Sequence, residues 1–101
     1  MTTILVVDDE APLLHALVIN LRARDYQVEA AATGRAALEK VARARPDLVI
    51  LDLGLPDMDG IEVLDGIRGW SGIPILVLSA RSTSEEKVRA LEHGADDYVT
   101  K

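Results

Sequence analysis

An α/β fold built on a mostly parallel sheet is what this sequence predicts, and three observations predict it. Strand-like and helix-like segments alternate along all 101 residues without a composition break. The run Ile4 to Val7 is unbroken and apolar, as a strand covered on both faces requires. Each apolar run then stops at something ionisable or hydroxylated: Asp8 and Asp9 after Ile4 to Val7, Asp52 after Leu48 to Leu51, Ser79 after Ile73 to Leu78, and Lys101 after Tyr98 to Thr100. In neighbouring parallel strands those stops share one edge of the sheet, where three carboxylates, a hydroxyl and an ammonium converge.

From about Pro12 to Arg24 the positions Leu14, Leu17, Val18 and Leu21 recur at helical spacing, with Pro12 tolerated in the first turn. Gln27 to Ala31 is a weaker strand, placed towards an edge. Thr33 and Gly34 open a helix through about Ala44, with Leu38 and Val41 inward, and Pro46 ends it. Asp47 to Leu51 is the central strand. After Asp52 the loop LGLPDMDG leads to a helix capped by Asp59, with Glu62 completing a capping-box pattern and Ile61, Leu64 and Ile67 as its buried stripe. Gly69, Gly72 and Pro74 break the chain before the strand Ile75 to Leu78. Ser82, Thr83 and Ser84 offer caps to a helix around Glu85 to Glu92, which His93 and Gly94 end. Asp97 to Thr100 begins a last strand. Five strands and four helices result, in a doubly wound arrangement that lacks a fifth helix over its second face.

Composition bounds the function. A chain that is 49% hydrophobic and only 3% aromatic closes one aliphatic core, so residues 1–101 are read as a single domain. Seventeen acidic against eleven basic side chains give a net charge of −6, which repels nucleic acid and anionic membrane over most of the surface. There is no cysteine, and the two histidines have no ligand-like spacing. The N-terminal MTTILVVDDE is unlike a signal peptide, and no apolar stretch approaches the roughly 20 residues of a membrane span, so the expected location is cytoplasmic.

Placing Asp8, Asp9 and Asp52 side by side would be costly without a cation, because like charges at a few ångströms disfavour one another. Oxygen-only ligands point to Mg²⁺, held by carboxylates, a main-chain carbonyl and waters, with positions left for phosphate oxygens. Asp52, on the central strand, is then free to act as nucleophile and form an acyl phosphate, with Ser79 and Lys101 balancing the phosphoryl oxygens. Singly, each signal has an ordinary reading: an Asp after a strand caps a helix, and a terminal Lys is a solvated charge. Their joint occurrence at four strand ends favours the site. A Mg²⁺-dependent phosphohydrolase is the competing class, but it wants a second acid two residues after the nucleophile, and those positions hold Gly54 and Ala11. His15 and His93 read as helix-surface and last-turn residues, Trp70 as a partly buried loop anchor, and Met58 as a residue beside the site. Arg35, Lys40, Arg43 and Arg45 read as a solvated basic face.

The stretches ILVVDDE (4–10), LVILDLGLPDMDG (48–60), ILVLSA (75–80) and GADDYVTK (94–101) together resemble the receiver domain of two-component response regulators. The resemblance implies sheet order 2-1-3-4-5 with ligands at the carboxyl edge. It implies that Asp52 is the phosphoacceptor for a histidine kinase, that Asp9 binds Mg²⁺ directly and Asp8 largely through water, and that the Gly54 main-chain oxygen is a further ligand. Ser79 looks like the switch hydroxyl, Tyr98 like the aromatic that rotates inward behind it, and Lys101 like the phosphate-binding lysine. Gly54 and Arg81 look like the positions that govern water access to the phosphoryl group. With all of Asp8, Asp9, Asp52, Ser79 and Lys101 present, a receiver that works without phosphorylation is disfavoured.

SAR at 79–81 and GADDYVTK are similar to regulators with a C-terminal winged-helix DNA-binding domain (OmpR-type), and DLGLPDMDGIEVLDGIRGW is similar to the potassium-responsive Kdp-type regulators. That resemblance implies DNA contact only through an effector domain outside these residues, control of a potassium-uptake operon, and dimerisation on phosphorylation. The family continues from the matching lysine into a final helix. With the sequence stopping at Lys101, the expectation is a sheet face covered by the first helix alone, with weak stability or self-association as the result.

Overall fold

In-register pairing of the apolar runs gives one five-stranded parallel sheet. The computed structural model describes residues 1–80 and 83–101. Its strands are β1 (Thr3–Val7), β2 (Gln27–Ala31), β3 (Leu48–Asp52), β4 (Ile75–Ser79) and β5 (Asp97–Thr100), in the order β2-β1-β3-β4-β5. The helices are α1 (Ala11–Arg22), α2 (Gly34–Ala44), α3 (Gly60–Arg68) and α4 (Ser84–Glu92). The order is the one the sequence implies, with β3 central and β2 at an edge. Val7 lies opposite Leu51, Asp52 opposite Leu78, and Ser79 opposite Thr100. This register brings the polar stops to a common edge.

Strand alternation divides the core in two. Leu5, Val7, Val49, Leu51, Ile75, Val77 and Tyr98 pack with Ala37 and Val41 of α2, Ile61, Leu64 and Ile67 of α3, and Ala90 of α4. On the other face Ile4, Val6, Val28 and Ile50 meet Leu14, Leu17, Val18 and Leu21 of α1. No α1 residue is fully buried. Towards β5 this second face thins out: Leu76 and Leu78 are half-buried and Val99, the register partner of Leu78, is 43% exposed. Among the described residues α1 is alone on that face, as expected.

The helix starts are held by side chains. Thr33 accepts a hydrogen bond from the Ala36 N–H at 3.1 Å. Asp57, in the loop after β3, accepts from the Gly34 N–H at 2.7 Å and the Arg35 N–H at 3.0 Å. The first three N–H groups of α2 are therefore all bonded, which a helix end needs. A Cβ on Gly34 would lie 2.4 Å from Met58 Cγ, so glycine lets that loop seat on α2. Asp59 caps α3 through the Ile61 N–H at 2.9 Å. The capping box expected of Glu62 is not completed: its carboxylate stays exposed in solvent, and no side-chain bond from it accompanies the cap among the described residues. Thr83 caps α4, and Ser84 is the first helical residue. Ser82, the other candidate cap, and Arg81 lie outside the described residues.

Opposite the acidic edge, Arg68 fastens the loops that enter β4 and β5. Nε donates to the Gly94 carbonyl at 2.9 Å, Nη1 to the Ser71 and Ile73 carbonyls at 3.2 and 2.6 Å, and Nη2 to Asp96 Oδ2 at 2.9 Å. Gly94, at φ +107°, makes the left-handed turn after α4. His93 is the C-cap of α4 and contacts Asp65 at 2.7 Å. Trp70 is 55% exposed instead of a partly buried anchor, because the Arg68 guanidinium holds this connection.

Candidate functional site

The carboxyl ends of β1, β3 and β4 open on a cleft of about 510 Å³ lined by Asp9, Glu10, Asp52, Gly54, Met58, Ser79, Glu86, Arg89 and Lys101, among others. Strand position explains the burial of its floor. Asp52 is the last residue of β3 and 5% exposed, Asp8 follows β1 at 1%, and Ser79 ends β4 at 4%. Asp9 lines the cleft and is exposed. Asp8, Asp9 and Asp52 each bring a carboxylate oxygen within 4.8 Å of the others.

Lys101 follows β5, and its side chain bends back over these acids, only 16% exposed. Nζ stands 3.0 Å from Asp8 Oδ2, 3.2 Å from Asp52 Oδ1 and 3.3 Å from Glu10 Oε1. Burial alone would lower the Lys101 pKa, but its ion pairs with Asp8 and then Asp52 outweigh that and hold it above the ordinary lysine value. Burial is also the main influence on Asp52 and raises its carboxyl. Lys101 opposes the shift, Asp8 adds to it, and the Gly54 N–H opposes it weakly.

Asp8 Oδ1 accepts from the Glu10 N–H at 2.9 Å. Asp8 Oδ2 is buried without a hydrogen-bond donor among the described residues; the Lys101 contact is an ion pair, not an aligned hydrogen bond. A buried carboxylate oxygen lacking a donor, beside two further carboxylates and no nitrogen or sulfur ligand, fits a hard divalent cation such as Mg²⁺. Asp8, Asp9 and Asp52 are the side chains positioned to hold it.

Ser79 Oγ donates to Glu86 Oε1 at 2.6 Å, and Tyr98 donates from its hydroxyl to the same oxygen at 3.0 Å. Tyr98 is turned inward, 8% exposed, and lies behind the cleft instead of lining it. The main chain adds a tie, from the Lys101 N–H to the Ser79 carbonyl at 2.7 Å. All the candidate residues read from the sequence (Asp8, Asp9, Asp52, Gly54, Ser79, Tyr98 and Lys101) thus gather at or directly behind one cleft. Glu10, Glu86 and Arg89 were not foreseen there. Glu10 was legible only as the third acid of DDE and Glu86 only as a first-turn charge on a helix. Arg89 reaches across the mouth towards Asp59 at 3.8 Å.

The comparisons agree with this geometry. The family model for the response regulator receiver domain matches residues 4–101. The transcriptional regulatory protein KdpE of Mycobacterium tuberculosis is 61% identical over the whole chain, which covers 45% of that relative. The KDP operon transcriptional regulatory protein KdpE of Escherichia coli strain K12 is 46% identical over the same span, again 45% of its length. The DNA-binding response regulator MtrA of Mycobacterium leprae is 47% identical over 97% of the chain and 44% of its own. The chain therefore spans just under half the length of these relatives. Among solved structures, the BeF3-activated receiver domain of Klebsiella pneumoniae RstA superposes with a TM-score of 0.93 at 35% identity, covering 99% of this chain and 86% of that one. Vibrio cholerae chemotaxis protein CheY4 gives 0.94 at 34%, covering 100% and 87%. Fold, acidic cleft and sequence lead to one conclusion: this chain belongs to the response regulator receiver domain family.

Proposed function

We propose that residues 1–101 form the phosphorylation-dependent switch of a transcription regulator, with Asp52 as the acceptor of a phosphoryl group from a sensor histidine kinase. The observation that carries this reading is the placing of Asp52 at the end of the central strand, facing an open cleft, with the Lys101 ammonium 3.2 Å away. In the transfer an Asp52 oxygen bonds to phosphorus as the bond to the kinase imidazole breaks, and the imidazole keeps the electron pair. Lys101 balances charge on the phosphoryl oxygens, and Ser79 donates its hydroxyl proton to one of them. Asp9 directly, Asp8 largely through water, Asp52 and the Gly54 main-chain oxygen would hold Mg²⁺, which would supply further charge neutralisation when bound. Tyr98 and Ser79 respond as the switch, and dimerisation of the phosphorylated form follows.

The proposed output is a DNA-binding effector domain outside these residues, and its control of a potassium-uptake operon is supported by the 61% identity to KdpE, of which the chain covers 45%. The net charge of −6 argues that these residues do not touch DNA themselves. Among the described residues no helix is long and apolar enough to cross a membrane, and a cytoplasmic location is part of the proposal.

Incubation with a small phosphodonor and Mg²⁺, followed by mass mapping, tests the assignment. One acyl phosphate per chain on Asp52, lost in Asp52→Asn, is expected. Full modification of Asp52→Asn would overturn it.

A further inference from the structure

We infer that Glu86 is a positioning residue for the phosphoacceptor site: its carboxylate holds the Ser79 and Tyr98 hydroxyls in the unphosphorylated chain, and Ser79 must leave it to serve a phosphoryl group on Asp52. The inference rests on Asp52 being the phosphoacceptor. A carboxylate offers only acceptors, so both hydroxyls donate to Glu86 Oε1, Ser79 at 2.6 Å and Tyr98 at 3.0 Å. Ser79 carries one hydroxyl proton. While that proton is directed at Glu86, it is not available to an oxygen on Asp52.

The hold is strong for its size. A 2.6 Å bond between a hydroxyl and a carboxylate is in the short, charge-assisted range. Ser79 is 4% exposed, Tyr98 8%, and Glu86 is half-buried, so solvent screens the bonds little. One carboxylate oxygen thereby ties the end of β4, the first turn of α4 and the start of β5.

Charge supplies the release. Glu86 lines the same cleft as Asp52, together with Asp9, Glu10 and Asp59, with Arg89 and Lys101 as the cations among the described residues. A phosphoryl group on Asp52 adds negative charge facing Glu86 and, at the same time, a new acceptor for Ser79. Both effects act against the Glu86 bond.

Beryllofluoride, a phosphoryl mimic, tests this in the presence of Mg²⁺ by calorimetric titration of wild type, Glu86→Ala, Glu86→Gln, Ser79→Ala and the Glu86→Ala/Ser79→Ala double variant. Glu86→Ala should bind about tenfold more tightly, which is about 1.4 kcal/mol, with Glu86→Gln in between because an amide oxygen is a weaker acceptor. Ser79→Ala should abolish that gain, so the two substitutions are non-additive. A merely structural Glu86 would lower the melting temperature without this coupling to Ser79. Unchanged or weaker binding in both Glu86 variants, or a gain that survives Ser79→Ala, would overturn the inference. Wild type that binds no beryllofluoride, or Asp52→Asn that binds it equally well, would refute the receiver reading of Asp52 and the inference with it.

Discussion

Lys101 Nζ lies 3.2 Å from Asp52 Oδ1 and is shared with Asp8, so an ammonium already occupies the space between the acids that a divalent cation would neutralise. Mg²⁺ must work against that charge. Lys101→Ala should therefore bind Mg²⁺ more tightly than wild type by calorimetry. The metal-free variant should lose about 3 kcal/mol, the lower end of the cost of unpairing a buried charge, and Mg²⁺ should restore part of it in thermal melts. Equal Mg²⁺ affinity in the two proteins would show that the lysine and the metal do not compete.

Gly54 is the position expected to govern the lifetime of an acyl phosphate on Asp52. Among the described residues a Cβ there would meet only Asp52 Oδ2, at 3.9 Å, so a side chain fits against them without moving the backbone. Glycine cannot orient an attacking water, whereas an asparagine amide beside the phosphoryl group can. Gly54→Asn should shorten the half-life of the Asp52 phosphate severalfold, measured by loss of the acyl phosphate after the donor is removed. Unchanged decay would refute the role.

Asp57 makes part of the stability pH-dependent. Bonds from the Gly34 N–H and then the Arg35 N–H hold its carboxyl below the ordinary value. A depressed folded-state pKa contributes stability above the unfolded value, about 3.9, and that contribution is lost as pH falls through the folded value. Asp57→Ala should melt a few degrees lower than wild type at neutral pH, with the gap closing towards pH 3. A gap that stays constant across the titration would show that the carboxylate charge is irrelevant to the α2 cap.

The α1 face predicts a dependence on length. Leu76 and Leu78, at the margin of the α1 cluster, stay half-buried, and Val99 is exposed. Covering a few hundred Å² is worth several kcal/mol at about 25 cal/mol per Å². A chain of residues 1–101 should melt lower, or self-associate more, than one continued by about 20 residues, enough for a helix of several turns. Sedimentation with thermal melting checks this, and a monomeric 1–101 chain as stable as the longer one would refute it.

Residues at strand ends were legible because a parallel sheet converts sequence order into position. Once Ile4 to Val7, Leu48 to Leu51 and Ile75 to Leu78 are strands in one sheet, Asp8, Asp52 and Ser79 must share an edge. Partners reaching in from elsewhere were not. Glu86 meets Ser79 because α4 brings its first turn back to the end of β4, and Glu10 meets Lys101 across 91 residues of sequence. Asp57 bonds N–H groups 22 and 23 residues away, a contact set by loop seating and not by periodicity. Glu62 was misread because a capping pattern states an opportunity, while an exposed carboxylate keeps its hydration at no cost.

The Arg68 fork has a consequence for which end of the sheet can give. Four of the five guanidinium donors are spent on two loops and Asp96, and their directions are set by a rigid plane. A lysine at 68 would keep the charge but offers a compact ammonium in place of that planar fork. The entrances to β4 and β5 are therefore clamped by shape as much as by charge, while their exits end at Ser79 and Lys101, whose side chains are held by carboxylates that carry the site's charge: Glu86 for the hydroxyl, and Asp8, Glu10 and Asp52 for the ammonium. The sheet is a bench with its vice at one end and its moving parts at the other.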